Sequence, residues 1–205
     1  MKHREVGDSY NVPLNIYNSW NSDSPAAPAL YIFGDSLFNS GNNNFLPTLS
    51  KANFPPYGVD FNGGATGRFT NRKIFPDLFL GLPYSPPYLS IRGSPELTGL
   101  NFAPASSGIL PETGNSTGKC LNFVEQIDLF NHTVELELPK HYKTSSEVSN
   151  YLSKSVFVIT IGSNDYLDYI KPQLLTPKRR YDPQSFAKRL IEDLSQQFQV
   201  RPHKY

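Results

Sequence analysis

Ala29-Leu30-Tyr31-Ile32-Phe33-Gly34-Asp35-Ser36 is the stretch whose reading decides the fold. An apolar run this short, stopped at once by glycine and two polar residues, is the pattern of a buried strand that passes straight into a loop. From Asn39 to Gly67 the chain is dense in Asn, Gly and Pro, including Asn42-Asn43-Asn44, Pro55-Pro56 and Asn62-Gly63-Gly64. These are turn signals, so a long ordered loop lining a cleft is expected. Gly63, Gly64 and Gly67 lack the strand-to-helix setting of a phosphate cradle.

Further along, Pro76-Asp77 suits the start of a short helix ending near Gly81. Leu100 to Ala103 reads as a second short strand followed by a Ser106-Ser107-Gly108 loop. Phe123, Ile127, Phe130 and Val134 recur on one helical face. Thr144 and Glu147 form a capping-box pair. Val156 to Ile161 is a β-branched run that argues for a strand covered on both faces, ending at Gly162-Ser163-Asn164-Asp165. Asp182 and Pro183 cap a last helix carrying Phe186, Leu190, Leu194 and Phe198 on one side. Strands alternating with helices indicate an α/β domain with a parallel sheet, whose ligands bind beyond the carboxyl ends of the strands. Ser36, Gly108 and Asn164 each lie just past such an end.

Composition narrows the function classes. The chain has 205 residues, 38% of them hydrophobic, and 19 basic against 18 acidic residues. A net charge of +1 offers no field for nucleic acid or an anionic membrane, and the Lys178-Arg179-Arg180 run reads as a solvated helix approach. A single cysteine, Cys120, excludes an internal disulfide and a cysteine-based zinc site. No stretch approaches the roughly 18 apolar residues of a membrane span. Residues 1–28 are a polar N-terminal extension without the apolar run of a signal peptide. Asn115 and Asn131 each fit the N-glycosylation acceptor pattern, which has meaning in a secreted chain.

A serine hydroxyl is a weak nucleophile, and acyl transfer needs it at a sharp turn with donors aimed at the developing oxyanion. Ser36 has that placement, although a serine after a strand is by itself more often a helix cap. The wider segment Phe33-Gly34-Asp35-Ser36-Leu37 with Gly41-Asn42-Asn43-Asn44 resembles the first signature block of the plant-type GDSL esterases and lipases, within the SGNH hydrolase superfamily. Asn101-Phe102-Ala103 through Gly108-Ile109-Leu110 resembles the second block, although Pro104, Ala105 and Ser106 depart from its usual small-residue run. Gly162-Ser163-Asn164-Asp165 resembles the third. Ala52 to Gly58 and Thr66-Gly67-Arg68-Phe69 agree as well, so the resemblance runs from about Ala29 to Phe198.

The resemblance implies a flavodoxin-like three-layer α/β/α fold with about five parallel strands, of which three are found here, as a partial domain over residues 29–199. It implies hydrolysis of carboxylic esters of the lipase or esterase type, with Ser36 as nucleophile. Gly108 takes the role of backbone oxyanion donor and Asn164 that of side-chain donor. A small-molecule ester or lipid is the implied substrate. No metal, organic cofactor, nucleic acid or partner protein is implied. An extracellular setting follows from the same resemblance.

Two departures matter. Asn39 stands where the family usually has aspartate. The family's C-terminal Asp-x-x-His, source of the base and its orienting carboxylate, is absent. Leu129, Leu138 and Val200 stand three before His132, His141 and His203, and His3 has no residue there. The tail at residues 200–205 matches nothing in the family, so the chain reads as C-terminally truncated. The strand at Val156 to Ile161 would then sit at an unguarded edge, with marginal stability expected. The alternative is a non-catalytic fragment or a ligand-binding pseudoenzyme.

Overall fold

The structure, a computed structural model, describes residues 25–78, 80–91, 97–175 and 182–199. Most of the N-terminal extension, the Lys178-Arg179-Arg180 run, His3, His203 and the 200–205 tail therefore lie outside the described residues.

Strand β1, Leu30–Gly34, is buried along its whole length. Because side chains alternate across a strand, Tyr31 and Phe33 pack on one face with Phe102, Phe123, Val148 and Tyr151. Leu30 and Ile32 pack on the other with Phe38 and Ala103. The expected strand at Leu100 to Ala103 is reduced to single parallel bridges, Ile32 to Asn101 on one side and Pro87 to Asn101 on the other. Backbone bonds still run along it, from Ile32 N–H to Leu100 at 2.9 Å and from Phe102 N–H to Ile32 at 2.8 Å. Asn101 explains the shortness: its side chain accepts the Ala103 N–H at 2.9 Å, turning the chain out of the ladder.

Helix α1, Phe123–His132, starts with a capping box between Asn122 and Glu125. The fourth member of its apolar stripe, Val134, falls in the π turn Thr133–Glu137 that continues it. Phe33 stacks on Phe102 at 5.1 Å and meets Phe130 edge-on at 5.7 Å, which locks the helix to the sheet. Helix α2, Ser145–Lys154, opens with the expected Thr144 and Glu147 capping box. Its Tyr151 hydroxyl lies 3.1 Å from that of Tyr31, and burial raises the ionisation of Tyr31 well above the ordinary phenol range.

Strand β2, Val156–Thr160, pairs in parallel with β1, Leu30 opposite Val156 and Gly34 opposite Thr160. The expectation of cover on both faces is corrected: Phe157 and Ile159 are 42% and 39% exposed, and β1 is the only neighbour of β2 among the described residues. Helix α3, Ser163–Leu175, follows β2 directly, a helix that the sequence reading did not draw. Helix α4, Pro183–Gln199, is capped as expected, the Asp182 carboxylate accepting Gln184 N–H at 3.0 Å and Ser185 N–H at 3.1 Å. The Ser185 hydroxyl, which donates to the same carboxylate, and then the Ser185 N–H hold Asp182 below the ordinary carboxylate range. Phe186 and Leu190 of α4 pack on Ile109 and Leu110.

The short helix expected from Pro76 to Gly81 is a single 3-10 turn, Phe75–Leu78. Asp77 turns inward instead of facing a helix dipole, pairing with the Arg68 guanidinium at 3.1 Å and accepting Ile74 N–H at 3.0 Å.

Candidate active site

The site forms where β1, β2 and the 98–102 segment end. Gly34 has φ 150°, and a Cβ there would lie 2.3 Å from the Thr160 carbonyl oxygen, so only glycine lets the two strand tips come this close. Asp35 is fully buried. Its carboxylate accepts Leu37 N–H at 3.0 Å and the Ser163 hydroxyl, while its carbonyl accepts Phe38 N–H at 3.1 Å. This tight turn leaves Ser36 half-buried, between a buried Asp35 and an exposed Leu37. Among the described residues the Ser36 hydroxyl has no hydrogen-bond partner, and neither does the Gly108 N–H.

Gly108 sits in a space with no room for a side chain: a Cβ would meet Thr113 at 2.4 Å and the Asp165 carboxylate at 2.7 Å. Asp165 was given no role by the sequence reading, yet it organises this loop. Its buried carboxylate accepts Ile109 N–H at 2.9 Å, Leu110 N–H at 3.0 Å and the Thr113 hydroxyl at 2.7 Å. Asn164, one residue earlier on α3, donates its side-chain amide to the Ser107 carbonyl at 2.8 Å. Asn164 and the Gly108 loop are thus in direct contact. No hydrogen bond joins Ser36 itself to either; its turn is tied to α3 through Asp35 and Ser163.

Gln126 is the other residue that motif reading missed. It is fully buried on α1, its Oε1 accepting Gly34 N–H at 2.9 Å and its Nε2 donating to the Gly34 carbonyl at 2.9 Å and the Ser107 hydroxyl at 2.8 Å. A signal existed: Gln126 falls between Phe123 and Ile127, a polar residue on the core-facing stripe of an amphipathic helix.

The asparagine-rich loop is held in the same manner. Asn39 is fully buried, its carbonyl oxygen accepting Gly41 N–H at 2.7 Å and Asn42 N–H at 2.9 Å, its amide donating to Asn43 at 2.9 Å. Asn42 donates to the carbonyls of Asn101 and Ala103 at 2.9 and 3.1 Å, which fastens the loop to the second strand tip.

Other candidate groups lie elsewhere. His132 and His141 are exposed. Since Phe123 N–H bonds to the Gly108 carbonyl, α1 begins at the site and carries His132 about 13 Å away along its axis. Cys120 is buried and its thiol is pushed up to about 12 by that burial, far from nucleophilic at neutral pH. Asn115 is exposed in the 3-10 turn Asn115–Thr117, whereas Asn131 is 5% exposed within α1, a placement with no room for a glycan. Among the described residues no helix is long and apolar enough to cross a membrane.

Comparison with known proteins agrees with the motif order. A family model for GDSL-like lipase/acylhydrolase matches residues 30–199. GDSL esterase/lipase 7 of Arabidopsis thaliana is 45% identical over 179 residues, 84% of this chain and 49% of its own. A second GDSL esterase/lipase of Arabidopsis thaliana is 42% identical, covering 83% of this chain and 47% of its own. A third is 40% identical, covering 92% and 53%. The chain spans about half the length of the curated relatives it matches. No solved structure matches it significantly. With the family match running through β1, β2, the 98–102 segment and the loops that follow them, the chain belongs to the GDSL-like lipase/acylhydrolase family.

Proposed function

We propose that the chain carries the nucleophile and oxyanion donors of a carboxylic ester hydrolase. Ser36 attacks, and the N–H groups of Ser36 and Gly108 and the Asn164 amide receive the oxyanion. The observation that supports this reading is the 2.8 Å bond from the Asn164 amide to the Ser107 carbonyl, next to a Gly108 N–H that has no hydrogen-bond partner among the described residues.

In the first step the Ser36 oxygen bonds to the acyl carbon while the carbonyl π pair moves onto oxygen and is held by the donors. Collapse of this tetrahedral species expels the alcohol and leaves an acyl-serine, which water then attacks. No described histidine hydrogen-bonds to Ser36, whose proton passes to solvent water or to a base outside the described residues. With neither imidazole nor orienting carboxylate at the serine, the oxyanion donors and binding alone leave about 10³ to 10⁴ over the uncatalysed rate, and turnover on that scale is expected here. The absence of a nearby imidazole among the described residues also favours a second reading, an acyl-ligand-binding pseudoenzyme. An extracellular setting belongs with the first reading and is supported by the exposed acceptor at Asn115.

Hydrolysis of p-nitrophenyl butyrate by the purified chain tests both. Slow turnover that disappears in Ser36→Ala supports the hydrolase. Turnover untouched by that change overturns it, and saturable ester binding without turnover establishes the pseudoenzyme.

A further inference from the structure

We propose that Gln126 is a positioning residue for the chemistry at Ser36, a cross-brace that sets the spacing between the nucleophile turn and the Gly108 loop; this rests on the functional reading above. Gln126 lies outside all three motif segments, 92 residues from Gly34 and 19 from Ser107, yet one planar amide joins them.

The connections close into a ring. Gly34 exchanges two hydrogen bonds with Gln126, and Gln126 donates to the Ser107 hydroxyl. The Ser107 carbonyl accepts from Asn164, whose chain neighbour Ser163 donates to Asp35, the residue after Gly34. The Ser107 hydroxyl in turn donates to the Leu121 carbonyl at 2.8 Å, so its position is fixed from both sides. Gly34 stands two residues before the nucleophile and Ser107 one before the Gly108 donor. Their separation is therefore set by a rigid amide and not by two loops.

The demand on residue 126 is specific. The position needs one acceptor for the Gly34 N–H and donors for the Gly34 carbonyl and Ser107 hydroxyl, all on a fully buried side chain. Glutamate would set a buried negative charge against a carbonyl, asparagine is one methylene short, and methionine leaves the Gly34 groups unpaired. Because Gln126 does not touch the reacting atoms, its loss acts on geometry, where an error of about 1 Å can cost about 10²-fold in rate.

The experiment treats the full chain with an alkyl fluorophosphonate and follows the adduct by intact mass. The Ser36 oxygen bonds to phosphorus, the P–F bond breaks, fluoride leaves and the hydroxyl proton goes to buffer. Rates against probe concentration separate kinact from KI, and Ser36→Ala identifies the labelled site. Gln126→Met should lower kinact about tenfold to a hundredfold with KI within about twofold. Ser107→Ala should move kinact the same way by less, and the double variant should fall short of the product of the two single effects, because the two residues share one bond. Circular dichroism reports the folded fraction. Ser107→Ala removes a single hydroxyl and decides the matter if Gln126→Met does not fold. Wild-type kinact in Ser107→Ala and in any folded Gln126→Met overturns the brace and leaves the functional reading standing. A parent chain that is unlabelled, or labelled equally after Ser36→Ala, overturns the functional reading and the brace with it.

Discussion

The Asp165 carboxylate accepts the Ile109 N–H at 2.9 Å across 56 positions of sequence, binding the start of α3 to the loop that carries Gly108. With Leu110 N–H and the Thr113 hydroxyl as further donors, one buried anion shapes the whole loop. In Asp165→Asn the new amide turns a donor toward a donor and the compensating charge is lost. About 3 kcal/mol of stability should go with it. A urea midpoint lowered at constant m-value would agree; an unchanged midpoint would show that the loop is held by other contacts.

Asn39 offers a test in the opposite sense, since the residue usual in the family should be worse here. The Asn39 amide donates to an Asn43 oxygen that also accepts Ala105 N–H at 2.7 Å. A carboxylate in its place would face that oxygen without a hydrogen to share. Asn39→Asp is expected to cost about 1 to 2 kcal/mol, measured as a drop in Tm. An equal or higher Tm would mean that the loop re-pairs around the acid.

The exposed side of β2 predicts self-association. Phe157 is tied into the aromatic core, stacking on Tyr31 at 5.4 Å, so Ile159 is the better position to change. A lysine at a strand edge blocks pairing between chains at small cost. Ile159→Lys should lower concentration-dependent light scattering while leaving the far-ultraviolet spectrum intact. Scattering equal to that of the parent would place the sticky surface elsewhere.

Cys120 predicts a pH dependence. Its thiol is raised by burial from 9.0 to about 12, so the folded state holds a proton that the unfolded state releases. The stabilisation is complete below pH 9 and is lost as pH rises through the folded value. Across that window the slope is about 1.4 kcal/mol per pH unit. Relative to Cys120→Ala, the parent should lose about 1 kcal/mol between pH 8 and pH 10 in urea titrations. Parallel curves for the two proteins would show that the thiol ionises freely in the folded chain.

Helix boundaries were legible where a cap and an apolar stripe coincide, as at Thr144 with Glu147 and at Asp182 with Pro183. They were not legible at α3. Its first turn commits Ser163, Asn164 and Asp165 to distant partners, and Tyr166, Leu167 and Ile170 stand exposed without a buried stripe. Asp77 misled for a related reason. A helix-start pattern is a local preference, and a buried guanidinium outcompetes it.

Sequence alone determined where β1 and β2 end and which motif follows each, because apolar runs, glycines and caps act on the backbone within a few residues. Only the tertiary structure decided that Gln126 would clasp Gly34 and Ser107, and that one face of β2 would remain open. Those outcomes depend on which distant buried groups must satisfy one another, and no local pattern encodes that pairing.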